Sequence, residues 1–251
     1  IALDDFGTGN STFNRINIIK PDLIKIDKSL FQNIKNNQIN KEIVKAIAKM
    51  SHNLGIRVLA EGVEDSDAIC VAMKSNINLF QGYYFCKPTK DLQIKQVETI
   101  LSTITHIGNL FKKSTINSIN NKRDLIANYC TISSIIIDQF SSIDNSKEIM
   151  FNELNKHIDL EAIYLIDVKT SKQINDTIIN NTNDRFQPSK EGDEHYLKEY
   201  YYITLESRQG IFLSTKYISY ATGNICKTFA RKFKIGNEAY ILCLDIIIKR
   251  N

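Results

Sequence analysis

Over its first 88 residues the chain alternates short apolar runs with helical patterns, and every apolar run stops on polar side chains. The runs at 1–3, 23–26, 57–60 and 78–80 read as strands, and the segments at 11–17, 39–54 and 65–74 read as helices. This β-α-β-α order specifies a parallel sheet, since parallel neighbours need a crossover between them. Four such units make half of a (β/α)8-like barrel, which typically takes about 250 residues.

In such barrels the functional side chains sit at the C-terminal ends of the strands. Asp4 and Asp5 end the first run, and adjacent carboxylates there offer oxygen ligands on both sides of one strand end. Two hard cations about 3.5–4 Å apart need a bridging set of this kind. Lys25 and Asp27 are two apart on the second run, so they point to one side. An ammonium beside a phosphate site stabilises a developing oxyanion or holds the attacking water. Glu61 ends the third run and Gln81 the fourth. Taken singly, each has a plainer reading. An Asp pair is a helix cap or solvated turn, Lys25 a surface lysine, Asp27 the cap of a following turn, and Gln81 with Gly82 a loop. The combination is far harder to attribute to packing.

Four segments then carry a family resemblance, in order and in spacing. They are Asp4 to Gly9 (DDFGTG), Ile24 to Asp27 (IKID), Ala60 to Glu64 (AEGVE) and Gln81 to Phe85 followed by Pro88 (QGYYF..P). Residues 1–88 resemble the C-terminal half of an EAL-type cyclic di-GMP phosphodiesterase domain. The resemblance implies a (β/α)8-like barrel with two Mg²⁺ or Mn²⁺ ions that opens cyclic di-GMP to linear pGpG. It implies metal ligation by Asp4, Asp5 and Glu61, and catalytic roles for Lys25, Glu61 and Gln81. Asp27 and Pro88 fall at substrate-side positions of the motifs. Phe6, Gly7, Thr8 and Gly9 match the family's loop that couples dimerisation to metal binding, with Glu64 as the acid that steadies it, so a homodimer is implied. Asn10, Ser11 and Thr12 replace the usual Tyr-Ser-Ser. The Glu-Ala-Leu motif and two further ligands of the family are absent, and the chain opens on a strand without Met. It is therefore expected to be a truncated fragment, inactive alone, of an active parent; the alternative is a degenerate module that binds cyclic di-GMP as a receptor.

From Asp91 the texture changes. Ile94, Val97, Leu101, Ile104 and Phe111 keep 3-and-4 spacing with Gly108 in the same register, which predicts a long helix. The stripe suits packing on the barrel, the favoured reading, or a two-stranded coiled coil. Further helices are expected at 124–140 and 147–157, then strands at 162–168, 173–179, 210–214, 225–233 and 239–248. The expected division is a half-barrel over 1–92, a linking helix over 93–120 and an α+β domain over 121–251. The last resembles a Cache (PAS-like) sensor: helices, then an antiparallel sheet. The resemblance implies a small-ligand pocket around Tyr201, Tyr217 and Asp245, with Arg208 as an anchor for a carboxylate. Buried aromatics in a β-rich domain also serve as plain core. A charge such as Asp245 in an apolar strand needs either a partner or an edge position facing water.

Composition bears on partners. Thirty-two Lys and Arg against 28 Asp and Glu leave a net charge of +4, with the two signs interleaved, which argues against a nucleic acid polymer or an anionic membrane as partner. No apolar run approaches the ~20 residues needed to span a bilayer. Five scattered cysteines without a C-x-x-C pair fit free thiols in a cytoplasmic signalling protein.

Overall fold

In the computed structural model, residues 1–8, 13–32, 34–91, 93–180 and 185–248 are described. The chain divides into two compact units, Ile1–Asn120 and Asn121–Asn251.

The first unit is a four-stranded parallel sheet in the order β1 (Ala2–Phe6), β2 (Leu23–Ile26), β3 (Arg57–Ala60), β4 (Leu79–Phe80). Its crossovers hold α1 (Phe13–Ile19), α2 (Lys28–Phe31), α3 (Gln38–Asn53) and α4 (Ser66–Met73). The helices α2, α3 and α4 start where the sequence supplies caps. Asn37 accepts from the Asn40 N–H at 3.1 Å and Asp65 from the Ala68 N–H at 2.7 Å, each satisfying a backbone donor left over at a helix start. Ile24, Ile26 and Ala60 are fully buried between the sheet and helix residues such as Val44, Ile47 and Ile69. Each strand thus emerges from an apolar layer onto a polar rim, which fixes the height of the residues that end it.

One continuous helix, α5 (Ile94–Asp138), replaces the two helices expected from 94 and from 124. The intervening stretch is polar but holds neither Pro nor Gly, so nothing stops helix propagation there. The stripe does not pack on the first unit as expected. Ile94, Val97, Leu101 and Ile104 are 79, 38, 58 and 51% exposed, whereas Ile107, outside the stripe, is buried.

The second unit is a six-stranded sheet on the path β6-β5-β10-β9-β7, with β8 (Tyr217–Ile218) also paired to β9. The other strands are β5 (Leu160–Asp167), β6 (Ile178–Ile179), β7 (Ile211–Leu213), β9 (Ile225–Ile235) and β10 (Glu238–Ile247). A long hairpin joins β9 to β10, in register from Glu238↔Ile235 to Ile247↔Cys226. Side chains alternate across the pleat, so one face of the sheet presents Ile163, Leu165, Leu242, Leu244 and Phe229. That face packs on Tyr129, Ile132 and Ile136 of α5 and on Met150 and Leu154 of α6 (Ser146–Leu154). Arg231 pins the same contact, its Nη1 donating to the Cys130 carbonyl at 2.9 Å and to the Ser133 and Ser134 hydroxyls at 2.9 and 2.6 Å. The opposite face carries Tyr164, Cys243, Ala230 and Ile241 and is partly covered by Tyr201 of α7 (Glu199–Glu206). The strand expected over 173–179 contracts to Ile178–Ile179 and a single bridge between Gln173 and Ile166.

Candidate functional site

The rim of the parallel sheet gathers carboxylates by breaking the strand's own regularity. Leu3 pairs with Ile24 and Phe6 with Ile26, so Asp4 and Asp5 on β1 together oppose Lys25 alone on β2. This two-against-one bulge puts Asp5 at φ 54°, a left-handed backbone that Asp tolerates at roughly 1–2 kcal/mol. The two carboxylates are thereby not split across the strand as a regular pleat would have them. Oxygens of Asp4, Asp5 and Glu61 lie within 4.8 Å of one another, an all-oxygen set suited to a hard divalent cation.

Lys25, on the next strand, reaches into this group. Its Nζ donates to Asp4 Oδ1 at 2.9 Å and forms an ion pair with Glu61. These two partners, Glu61 first, raise the lysine above its ordinary value, and the Lys25 hydrogen bond lowers Asp4. The ammonium is therefore held fully charged beside the carboxylates. Glu61 is placed by the parallel ladder, its N–H donating to the Ile26 carbonyl at 3.1 Å.

Gln81 stands at the end of β4 through two backbone bonds: its N–H donates to the Ala60 carbonyl at 2.9 Å, and its carbonyl accepts from the Val63 N–H at 3.1 Å. The next residue has to be glycine, since a Cβ on Gly82 would lie 2.1 Å from the Val63 carbonyl oxygen. Gln81 is exposed at the end of β4, and Glu64 and Pro88, in the loops after β3 and β4, are exposed as well. In the loop after β1, Thr8 Oγ1 donates to the Asp5 carbonyl at 2.9 Å, closing a turn behind the bulge, and buried Phe6 anchors it. Gly7 lies in that turn at φ 104°; Gly9 falls outside the described residues.

Asp27 is not among the clustered carboxylates. It caps α2, accepting from the Ser29 N–H at 2.8 Å, and the hydrogen bonding of Ser29 holds it below the usual carboxylate range. Of the two readings open for this residue, the geometry is that of the cap.

A second arrangement lies on the open face of the antiparallel sheet, where a cavity of about 660 Å³ is walled by Tyr164, Tyr200, Tyr217, Phe186 and Phe212. Asp245 is part of its lining. It stands on β10, which is paired on both sides by β5 and β9, and is 5% exposed; the edge-strand reading is therefore wrong. Thr228 Oγ1 donates to Asp245 Oδ1 at 2.8 Å. Having spent its one proton there, Thr228 accepts from the Tyr217 hydroxyl at 2.8 Å. Burial pushes the Asp245 carboxyl up to about 6.

Tyr201 and Arg208 do not line this cavity. Tyr201 packs on the sheet with its hydroxyl donating to the Val168 carbonyl at 2.8 Å, and its neighbour Tyr200 takes the place expected of it. The helical turn of α7 decides between the two: successive residues point about 100° apart. Sequence reading also missed His195 and Gln173. Gln173 Nε2 donates to the Asn175 carbonyl at 2.7 Å, which leaves its Oε1 to accept from His195 Nε2 at 2.9 Å. His195 Nδ1 then accepts from the Tyr200 hydroxyl at 2.6 Å. Burial holds this imidazole down at about 4, so it is neutral at pH 7. No motif marks these residues; only the fold brings them together.

Residues 1–88 match the model of the EAL domain. The probable cyclic di-GMP phosphodiesterase PdeD of Escherichia coli K12 is 35% identical over 88 residues, 35% of this chain and 16% of that protein. The cyclic di-GMP phosphodiesterase PdeL of the same organism is 36% identical over 87 residues, 35% of this chain and 24% of its own length. The chain thus spans under a quarter of the length of either relative. Among solved structures, the Bacillus subtilis YkuI protein, with an EAL domain and in complex with cyclic di-GMP and calcium, aligns over 100% of this chain and 62% of its own. The TM-score is 0.71 at 20% identity, a likeness of fold alone. Residues 1–88 are accordingly similar to the EAL domain and to proteins named cyclic di-GMP phosphodiesterases, and the likeness to the solved structure, which takes in the second unit, is one of fold.

Proposed function

We propose that residues 1–88 supply one half of a metal-dependent site that hydrolyses cyclic di-GMP to linear pGpG. The observation that carries this reading is the convergence of Asp4, Asp5 and Glu61 oxygens within 4.8 Å, with the Lys25 ammonium among them. Three carboxylates fit a hard divalent cation such as Mg²⁺ or Mn²⁺, with Asp4 and Asp5 holding it from β1 and Glu61 from β3. Bound there, a pair of such ions would polarise the phosphodiester and lower the pKa of an attacking water. Lys25 then serves the chemistry as a fixed positive charge, orienting a water through its N–H groups and favouring the anionic oxygens that gain charge as the ester opens. Gln81, exposed at the end of β4, is a hydrogen-bonding group for that water.

Three carboxylates and four open strands fall short of a closed two-metal site, so turnover is assigned to the full-length parent and metal ligation to the residues seen here. The loop from Phe6 to Gly9 with Glu64 would pass dimer contacts to the bulge, since Thr8 bonds directly to Asp5. Ca²⁺, with looser geometry and longer bonds at the same oxygens, should inhibit. The second unit is proposed as a Cache- or PAS-like sensor, and its cavity is what supports that reading.

The test is cyclic di-GMP turnover by the parent protein carrying Asp4→Asn, followed by chromatography of pGpG. Loss of most turnover is expected, because the substitution removes a ligand charge and one of the two partners of Lys25. Near-wild-type pGpG production would overturn the assignment, and unchanged nucleotide binding without hydrolysis in the wild type would make the domain a receptor.

A further inference from the structure

The cavity of the second unit buries a carboxylate for which the described residues provide no ion-pair partner. Among the described residues no lysine, arginine or histidine nitrogen lies within ion-pair distance of Asp245. Two basic side chains line the cavity, and both are committed elsewhere. Lys198 lies at the exposed rim with its Nζ 5.4 Å from the centre of the Tyr220 ring. His195 is uncharged and has both ring nitrogens in hydrogen bonds, to Gln173 and Tyr200. The charge of Glu161 disfavours ionisation of Asp245, and Glu199 also lines the cavity. Tyr164, Tyr200, Tyr217 and Cys243 around it are held in their neutral forms by burial.

Such an arrangement is costly to keep empty. A buried carboxylate with the hydroxyls of Thr228 and Tyr217 beside it still lacks most of the solvation that water would give it. Tyr200, Tyr217, Phe186 and Phe212 line the same space, with Tyr164 stacked on His195, and a desolvated cation is attracted by the quadrupole of an aromatic ring. A cavity of about 660 Å³ lies within the range of small-ligand sites, roughly 300–1,000 Å³. The carboxylate and the aromatic walls therefore favour the same kind of guest, and Arg208, which would have suited an acid, is not part of the lining.

We propose that this cavity binds a small aliphatic ammonium compound, its charged nitrogen against Asp245 and its carbon body against Tyr164, Tyr200 and Tyr217. The proposal deepens the sensor reading of the second unit and is independent of the phosphodiesterase reading of the first. Access would pass the Lys198–Tyr220 contact, which links the start of α7 to the loop after β8 across the cavity's exposed side.

The experiment is thermal unfolding of the whole chain with 1,4-diaminobutane, choline, the uncharged choline analogue 3,3-dimethylbutan-1-ol, and butyrate. At millimolar concentrations at least one of the two cations should raise the melting temperature by about 3 °C or more. The neutral analogue and butyrate should leave it unchanged, and Asp245→Asn should abolish the shift. Absence of a shift with both cations, an equal shift with the neutral analogue, or a shift kept in Asp245→Asn would overturn the proposal. Should Asp245→Asn fail to fold, Tyr217→Leu serves instead: it leaves the carboxylate, removes one aromatic wall, and must reduce the cation's shift at least twofold, an unchanged shift being contrary to the proposal.

Discussion

Replacing Asp245 by Asn should make the second unit more stable at neutral pH, although Asp245 is a buried residue on a central strand. Burial lifts its carboxyl from 3.8 to about 6, so between those values the native state binds more protons than the unfolded state. Stability contributed by this group is therefore fully present below pH 3.8 and is lost as pH rises through about 6. The loss corresponds to roughly two decades in the proton equilibrium, about 3 kcal/mol. Asparagine is never charged, and its Oδ1 still accepts from Thr228. It adds an amide donor that needs a partner, which costs about 1 kcal/mol. The net expectation is a gain of about 2 kcal/mol at pH 7.5, shrinking to nothing or reversing near pH 4. Hydrogen exchange of the β9 and β10 amides measures this within the second unit alone, and other carboxylates cancel in the difference between variant and wild type. An Asn variant no more stable than wild type at pH 7.5, or a difference independent of pH, would refute the reasoning.

Two further substitutions probe the first unit. Asp27→Ala removes the α2 cap and should cost about 1 kcal/mol in denaturant titration while leaving divalent-metal affinity intact, as befits a residue outside the carboxylate group. Gly82→Ala puts a methyl 2.1 Å from the Val63 carbonyl; it should destabilise the unit by about 2 kcal/mol or more and weaken metal binding by shifting the β3 end that carries Glu61, both readable by melting with and without Mn²⁺.

The strands of the first unit were legible because each is a short apolar run closed by a polar residue. Residues 23–26 and 57–60 form β2 and β3 at the bounds expected of them. The bulge was not legible: nothing local in Leu3-Asp4-Asp5-Phe6 announces the left-handed Asp5, and a regular pleat would have parted the two carboxylates. The spacing of the buried residues Leu3 and Phe6 records it only after the structure is known. In α5 the polar stretch after Phe111 carries no apolar period, yet the helix runs through it because it holds no breaker. The cavity was legible only in part. Asp245 stands out as a charge in an apolar strand and the sensor resemblance points to Tyr217, whereas Thr228, His195 and Tyr200 come from separate elements whose pairing no period in the sequence encodes. Tyr201 and Tyr200 differ by a single step on a helix that the aromatic run does not announce.

The claim that Asp4, Asp5 and Glu61 form one metal-binding group is tested most directly by Mn²⁺ titration of the chain, followed by the electron paramagnetic resonance of the free ion. Saturable binding should be seen, weakened at least tenfold by Asp4→Asn, Asp5→Asn and Glu61→Gln alike and unchanged in Asp27→Asn. Equal Mn²⁺ binding in all of these variants, or none in the wild type, would contradict it.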